Sequence, residues 1–383
     1  LLLIPGTACD YLDVVPDNVA TIENAFADRY NAEKFLATCY SYMPVFGDPW
    51  INPGLLSGDE AWFNEEVSSG VVRAAFIAKG FQNTNEPYLN YWDGRERGIN
   101  MFVALRDCNI FLEEIEKVAD ISPLERKRWI AEVKFLKAYY HFWLLKTYGP
   151  IPIIRENLPI YVDTEEVKVY RDPVDDVVDY IVSLIDEALA DLPVQVTSET
   201  TEMGRITKPV ATAIKARVLA TAASPLFNGN SDFSSLTDNR GVQLFNPDYD
   251  ANKWQLAADA ALEAIETCEM AGLKLYEQYN SRYEHSDAIM KELTLRSIVT
   301  SKGSPEVIWG ATNFTFGWGY QRMMQPLLIQ VTTANPVSQF YGATLRMAEL
   351  FYSENGVPIN DDVNFDYENR YELRTALTEE NDY

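Results

Sequence analysis

The side chains of this sequence that could do chemistry are mainly aromatic rings in loops, next to groups that hydrogen-bond. A flat Trp or Tyr ring can cover the apolar face of a sugar, while carboxylates, amides and guanidinium groups bind its hydroxyls. Three stretches combine both kinds of group, around residues 48–62, 82–92 and 313–322. We predict that they form a ligand-binding site; its candidate residues are Trp50, Asp59, Trp62, Tyr88, Trp318, Tyr320 and Arg322.

Motifs for catalysis are missing from the sequence. The two histidines, His141 and His285, lie in no HExxH motif, and neither a GxSxG elbow nor a complete dinucleotide fingerprint occurs. The chain has 57 acidic residues, so pairs of carboxylates are inevitable and say little about glycoside hydrolysis, which needs two acids about 5–9.5 Å apart. We predict a binding protein without catalytic residues, and an all-α glycosidase remains an alternative.

Acidic and amide side chains alternate near the end of the sequence as in a calcium-binding loop, at Asp362, Asn364, Asp366 and Glu368. An EF-hand also needs glycine at its sixth position and glutamate at its twelfth. This chain has Tyr367 and Leu373 there. We therefore predict no cofactor and no bound metal, with one loosely held Ca²⁺ left open as an alternative.

The overall charge limits the classes of partner. A formal net charge of −25 over 383 residues repels phosphate backbones, and no local cluster of Lys and Arg compensates for it. Nucleic acid is therefore excluded as a partner. The sequence beyond its first residues has no apolar run of 18 residues, so we predict no membrane-spanning helix. Three of the four cysteines are predicted to be buried apolar side chains, namely Cys39, Cys108 and Cys268.

The first ten residues, LLLIPGTACD, are typical of the end of a lipoprotein signal peptide. Small residues stand directly before Cys9, which would be lipidated on its sulfur. Acyl chains contribute about 0.8 kcal/mol per buried CH₂, so a lipidated Cys9 would anchor a soluble body to a membrane surface.

A series of amphipathic helices must position the loops. The apolar spacing predicts them within about 20–42, 99–147, 172–192, 207–227 and 250–272, and the second of these ranges holds two helices, one at 99–118 and one that follows it. We predict that Asp172 and Thr207 cap two of them and that Asp250 starts the last. Alanine is frequent in the last two, which favours close stacking of helices, as in tetratricopeptide-type solenoids. Their uneven spacing predicts an irregular array, with long loops at 43–98, 228–249 and 273–383.

The most informative helix lies within residues 125–148, ahead of YGPIP. Its apolar side chains occupy nearly every face, so it must be surrounded by other helices. Gly149 suits a left-handed cap at its C-terminal end, and Pro150 cannot continue the helix.

Within this helix, Glu132, FLKA at 135–138, the pair Tyr139-Tyr140 and KTYGPIP at 146–152 closely resemble the signature of the SusD/RagB family. Those proteins are surface lipoproteins in the outer membrane of Bacteroidetes-type bacteria. The resemblance implies a mainly α fold, in which tetratricopeptide-like helix pairs form one side and a loop-rich second lobe carries short strands. It also implies capture of oligosaccharides at the cell surface and delivery to a TonB-dependent, SusC-like transporter.

The predicted organisation follows from both arguments. Residues 1–9 would be the remnant of a lipoprotein signal, and 10–383 a single domain whose ligand lobe comprises about 43–98 and 273–383. The resemblance further implies truncation at both ends. A RagB-like peptide carrier and a protein-interaction scaffold remain alternatives. The site residues are predicted from loop chemistry alone, because the helical signature serves the fold.

Overall fold

The computed structural model describes residues 22–45, 47–48, 51–52, 54, 58–63, 73–159, 161–277, 283–301, 303–310 and 341–372. The fold is mainly α, as predicted, with eleven helices and two short strands in this part of the chain. The helices are α1 (Ile22–Ala25), α2 (Arg29–Ser41), α3 (Arg73–Ala78), α4 (Met101–Glu114), α5 (Pro123–Tyr148), α6 (Val174–Leu189), α7 (Glu199–Glu202), α8 (Lys208–Ala223), α9 (Asn252–Met270), α10 (Asp287–Thr300) and α11 (Leu345–Ala348). The strands are β1 (Ala61–Phe63) and β2 (Tyr341–Ala343).

The chain divides into two compact units. The helical unit comprises Leu1–Met43, Tyr91–Asp93 and Asn100–Thr312. The loop-rich unit comprises Pro44–Asn90, Gly94–Ile99 and Asn313–Tyr383. Both strands belong to the loop-rich unit.

Helix α5 is the centre of the helical unit. Ser122 caps its first turn by accepting a hydrogen bond from the Glu125 N–H, and Pro123 occupies the first helical position. Side chains on all its faces are buried, Trp129, Tyr140 and Phe142 among them. Neighbouring helices accordingly pack around it, namely α2, α4, α6 and α8.

Helix α5 ends at Gly149, as predicted, but its ψ of −125° lies outside the left-handed helical conformation that the prediction gave it. Gly149 has φ +69°, and its N–H donates to the carbonyl of Leu145 at 2.9 Å. A Cβ at this position would lie 3.3 Å from Cζ of Phe245. Glycine is therefore favoured here both by backbone conformation and by the close approach of a ring.

The later helices stack one on another, α6 on α5, α8 on α6 and α9 on α8. The α8–α9 contact is the most extensive of these, and small residues of both helices are buried, as the alanine content predicts. They are Ala211, Ala222, Ala223, Ala257, Ala260 and Ala264. This succession is the irregular helical array.

Several helix starts differ from their predictions. The segment predicted as one helix at 20–42 is two, because the Asp28 carboxylate caps α2 by accepting from the Asn31 N–H at 2.8 Å. The prediction that Asp172 caps α6 is wrong: Pro173 holds that position without a side-chain bond. Asp172 instead accepts from the Ile153 N–H at 2.7 Å, so it fastens the extended segment that leaves α5.

The predicted starts of helices α8 and α9 lie within about two residues of the observed ones. Thr207 precedes α8, although its hydroxyl makes no capping bond. Asp250 lies just before α9, whose N-terminal cap position is Ala251, and the Asp250 carboxylate accepts from the Asn252 N–H at 2.8 Å. Asp250 thus shapes the turn that leads into the helix.

Two cysteines are buried as predicted, whereas Cys268 is half-buried on α9, so its prediction is wrong. Burial raises the pKa of the Cys108 thiol, which keeps it protonated and unreactive. Among the described helices, none is long and apolar enough to cross a membrane.

His141 is a buried structural residue of α5. Its Nε2 accepts from the Ile154 N–H at 3.1 Å, so the proton lies on Nδ1, which donates to the Lys137 carbonyl at 2.8 Å. Burial lowers the pKa of His141 from 6.5 to about 3, although the hydrogen bond to Lys137 opposes the shift. The neutral ring therefore fastens the exit segment back onto its helix.

In the loop-rich unit, β1 and β2 pair antiparallel, with Trp62 opposite Gly342. Thr344, directly after β2, extends the pairing: its N–H donates to the Glu60 carbonyl at 3.3 Å, and its hydroxyl donates to the Asp59 carbonyl. Helix α3 belongs to the same unit, and its Ala74 and Ala75 are buried.

Candidate functional site

Three of the seven predicted ligand residues lie in the described part of the chain, and all three belong to the loop-rich unit: Asp59, Trp62 and Tyr88. The other predicted positions lie outside the described residues; they are Trp50, Trp318, Tyr320, Arg322 and the predicted lipidation residue Cys9.

Trp62 presents an aromatic surface to solvent. On β1 its neighbours Ala61 and Phe63 are buried, whereas Trp62 is 42% exposed. Its ring lies 4.8 Å from that of Phe63, with 22° between the planes. Gly342 has no side chain to cover the indole from the opposite strand, and a Cβ there would meet no atom within 4 Å. The strand pair therefore holds Trp62 firmly and leaves it accessible.

Asp59 lies just before β1. Its carbonyl is held by the Thr344 hydroxyl, and its side chain is exposed. A carboxylate at this position can accept hydrogen bonds from hydroxyl groups of a ligand. The same short segment thus supplies an aromatic surface and an acceptor.

Tyr88 is half-buried and makes a different contribution from the one predicted. Its ring stacks on Phe76 of α3, with centroids 5.0 Å apart and 13° between planes. Gln82 clamps its backbone by accepting from the Tyr88 N–H at 2.8 Å and donating to its carbonyl at 3.0 Å. This stacking leaves Tyr88 less ring surface for a ligand than an isolated loop tyrosine would have.

Phe81 is the exposed ring of this cluster, and sequence reasoning missed it. It is 56% exposed, and its centroid is 6.3 Å from that of Phe76. Lys79 lies between these two phenylalanines in the sequence, and its ammonium is 5.2 Å from the ring centroid of Phe63. The end of α3 therefore lies beside the strand that carries Trp62. The signal in the sequence was Phe81 itself, directly before the polar pair at 82–83.

A second exposed ring in this unit was also missed. The Arg370 guanidinium lies 3.6 Å from the ring centroid of Tyr367 and 4.4 Å from that of Tyr371. Glu349 holds it by a 2.8 Å hydrogen bond from Nε and also accepts from the Tyr371 hydroxyl. These hydrogen bonds lower the pKa of Glu349, so its charge is retained and Tyr371, 54% exposed, stands in a fixed orientation.

Asp362, a candidate for the Ca²⁺ alternative, helps to close a loop. Its carboxylate accepts from the Ser353 hydroxyl, from the Asn355 amide at 2.9 Å and from the Asn364 N–H at 2.9 Å. These bonds lower its pKa. Within the described ranges, no group of three or more His, Cys, Asp and Glu side chains could hold a metal ion. A bound Ca²⁺ stays an untested alternative.

The geometry suits non-covalent binding of a polyol. Two accessible rings near α3, Trp62 and Phe81, offer flat apolar surface, and Asp59 offers an acceptor beside one of them. Such a surface can contact the C–H face of a sugar ring while polar groups bind its hydroxyls.

Comparison with known families identifies related proteins. Residues 10–219 match the model of a SusD-like family described as starch-binding and associating with the outer membrane. No match is found among curated proteins.

Solved structures also match, 41 chains in all. BT4246 is 28% identical, with a TM-score of 0.74, and the match covers 88% of this chain and 59% of BT4246. A SusD-like protein from Bacteroides fragilis (BF3747) is 19% identical with a TM-score of 0.59, covering 89% of this chain and 57% of the other. A SusD superfamily protein from Bacteroides vulgatus is 18% identical with a TM-score of 0.55, covering 86% and 63%. The last two show the fold alone.

Proposed function

This chain belongs to the SusD-like family, described as starch-binding and associating with the outer membrane, and on that premise we propose that it captures oligosaccharides at the cell surface without cleaving them. The chain spans 59% of the length of BT4246, so the activity of the whole protein is part of the proposal. The observation that carries it is the accessible Trp62, seated on a paired strand opposite a glycine.

Three physical features support glycan as the cargo. The accessible ring requires no movement of a covering side chain, so little binding energy is lost in preparing the site. Asp59 is close in sequence and exposed, which suits hydroxyl recognition. The net charge of −25 disfavours polyanionic ligands and does not penalise neutral ones.

The proposal extends to delivery. We infer that the captured oligosaccharide passes to a SusC-like, TonB-dependent transporter and that lipid on Cys9 anchors the protein to the outer membrane. Cys9→Ala in the cell-expressed protein should shift it from the membrane fraction to the soluble fraction. Recovery of the transporter with the parent protein after mild detergent extraction tests the partnership, and recovery of the parent protein alone would contradict it.

The first experiment compares two tryptophans of similar exposure. Calorimetric titration with starch-derived and other oligosaccharides should show saturable binding by the parent protein, with the sugars recovered intact by chromatography. Trp62→Ala should weaken binding about tenfold, the loss expected for one stacking contact. Trp254→Ala, which removes a 47% exposed ring from α9 in the helical unit, should bind as the parent does.

The results separate the alternatives. Equal weakening in both variants would point to general damage, and unchanged affinity in Trp62→Ala would remove this ring from the site. Shortened sugar products would make the protein a glycosidase.

A further inference from the structure

The helical unit carries a shallow depression of about 390 Å³, formed by residues other than those already described as a candidate site. It is lined by Arg155, Asp176, Asp179, Tyr180 and Ser183. The last four share one stripe of α6, at spacings of three, four and seven residues. Arg155 comes from the extended segment that follows α5. A volume near this size is typical of sites for small ligands, roughly 300–1,000 Å³.

The charged side chains that line the depression form no ion pairs with one another among the described residues. In the part of the chain that the structure describes, neither Arg155 nor the carboxylates of Asp176 and Asp179 form an ion pair. The adjacent Asp175 differs, since the Lys253 ammonium lies 2.6 Å from its carboxylate. Burial, together with the nearby Asp175 and Asp176, raises the pKa of Asp179. The Lys253 ammonium, which opposes this shift, is paired with Asp175, so among the described residues neither Asp176 nor Asp179 has an ion-pair partner of its own.

Contacts with neighbouring side chains hold the Tyr180 ring and the Arg155 backbone in place. The Arg155 guanidinium carbon lies 5.2 Å from the ring centroid of Tyr180. The His141 ring meets the same tyrosine edge to face, with centroids 5.2 Å apart. The buried Lys137 ammonium donates to the Arg155 carbonyl at 2.5 Å. These contacts hold the tyrosine ring and the Arg155 backbone, and the guanidinium lies over that ring, so the depression offers a cation beside an aromatic surface.

We propose that this depression binds a small zwitterion of the free amino acid or short peptide class. The ligand ammonium would lie between Asp176 and Asp179, and its carboxylate would pair with Arg155 in two parallel hydrogen bonds. The Ser183 hydroxyl donates to the Tyr180 carbonyl at 2.8 Å, so its oxygen is left to accept from the ligand ammonium. A neutral sugar would leave all three charges unpaired, which is why the zwitterion fits better. This site is independent of the proposed glycan site.

The test uses diglycine and two blocked forms of it. Calorimetric titration or ligand-observed NMR with the whole chain should detect diglycine binding. N-acetylation of diglycine removes the ammonium, and amidation removes the carboxylate. Each change should weaken binding about tenfold or more, because each removes a charge-assisted contact. The native protein serves for all three ligands, so no variant needs to fold for this comparison.

Protein variants provide the second arm. Arg155→Gln and Asp179→Asn should each weaken diglycine binding about tenfold. Asp191→Asn, a matched change of an exposed aspartate just after α6, should leave it unchanged. Trp62→Ala should also leave it unchanged, so failure of the glycan proposal and failure of this one are distinguishable.

Three results would overturn the inference. They are absence of diglycine binding, equal binding of the blocked forms, and binding that survives Arg155→Gln. A neutral disaccharide that displaces diglycine and binds equally well to Arg155→Gln would likewise reject the zwitterion class.

Discussion

The fully buried carboxylate of Glu132 accepts two hydrogen bonds from the Arg205 guanidinium, at 2.8 and 3.1 Å. Arg128 donates to its other oxygen at 2.9 Å, and the Tyr40 hydroxyl donates at 2.9 Å. Glu132 thus joins α5 to α2 and to the segment before α8. A buried charge is tolerated only when partners surround it in this way.

Replacing Glu132 with glutamine should destabilise the helical unit by about 3 kcal/mol, because it leaves two guanidinium groups facing a neutral amide. Urea unfolding followed by circular dichroism measures the change. Glu187→Gln breaks an exposed ion pair with Lys134 and should cost less than about 1 kcal/mol. Similar losses in the two variants would show that the buried network has no special role.

Buried His141 should make stability depend on pH. Its pKa is lowered from 6.5 to about 3 in the folded protein, so below pH 6.5 the unfolded chain takes up a proton that the folded chain excludes. The stability that this difference in pKa contributes is fully present above pH 6.5 and is lost as the pH falls towards 3. Over that range the free energy of unfolding falls by up to about 1.4 kcal/mol per pH unit.

His141→Phe removes this titration. The plot of unfolding free energy against pH should therefore be flatter in the variant between about pH 7 and about pH 5, by up to about 1.4 kcal/mol per pH unit. The variant is expected to be less stable throughout, since it loses two hydrogen bonds; only the slopes are compared. Identical slopes would mean that His141 does not titrate differently on folding.

Gly149→Ala should cost about 1–3 kcal/mol, because φ is +69° and the new Cβ would approach Phe245. Gly310→Ala is the control: its φ is ordinary and its nearest contact would be 3.7 Å, so its effect should stay within about 0.5 kcal/mol. Thermal or urea unfolding of both variants measures the two losses of stability. A harmless Gly149→Ala would show that the helix end relaxes freely.

Gly342→Val should retain the fold and weaken oligosaccharide binding. Side chains directly opposite on paired strands have Cβ atoms about 4.5–5.5 Å apart, so the valine would cover part of Trp62. Calorimetric titration is the readout, with Ala343→Val, the next residue of β2, as control. Unchanged affinity in Gly342→Val would mean that the ligand uses another surface.

Features of the fold that depend on residues close together in the sequence could be predicted from the sequence alone. The end of α5 at Gly149, the burial of side chains on all faces of α5 between Trp129 and Leu145, and the alanine-rich α8–α9 contact all follow from side-chain type and spacing within one or two turns. Asp172 was misjudged because its partner, Ile153, lies 19 residues away. An aspartate before a proline favours a helix cap only while no distant N–H competes for it.

The site was less predictable for the same reason. Trp62 could be recognised as a candidate from its neighbours, but its exposure depends on Gly342, which pairs with it across most of the chain. Tyr88 was predicted as a ligand residue because polar side chains surround it in the sequence, but its ring stacks on Phe76, which reduces the ring surface open to a ligand. The Arg370–Tyr371 contact depends on Glu349, 21 residues away from the arginine.

The pairing of β1 with β2 has a consequence for how the protein is made. Asp59 and Thr344 are 285 residues apart, and closing so long a loop costs about 5 kcal/mol beyond a constant. The helices between them make contacts close in sequence and can fold first. At about 5–20 residues per second, a ribosome needs roughly 15 s to a minute to reach β2 after β1. Throughout that time β1 and its tryptophan lack the strand with which they pair.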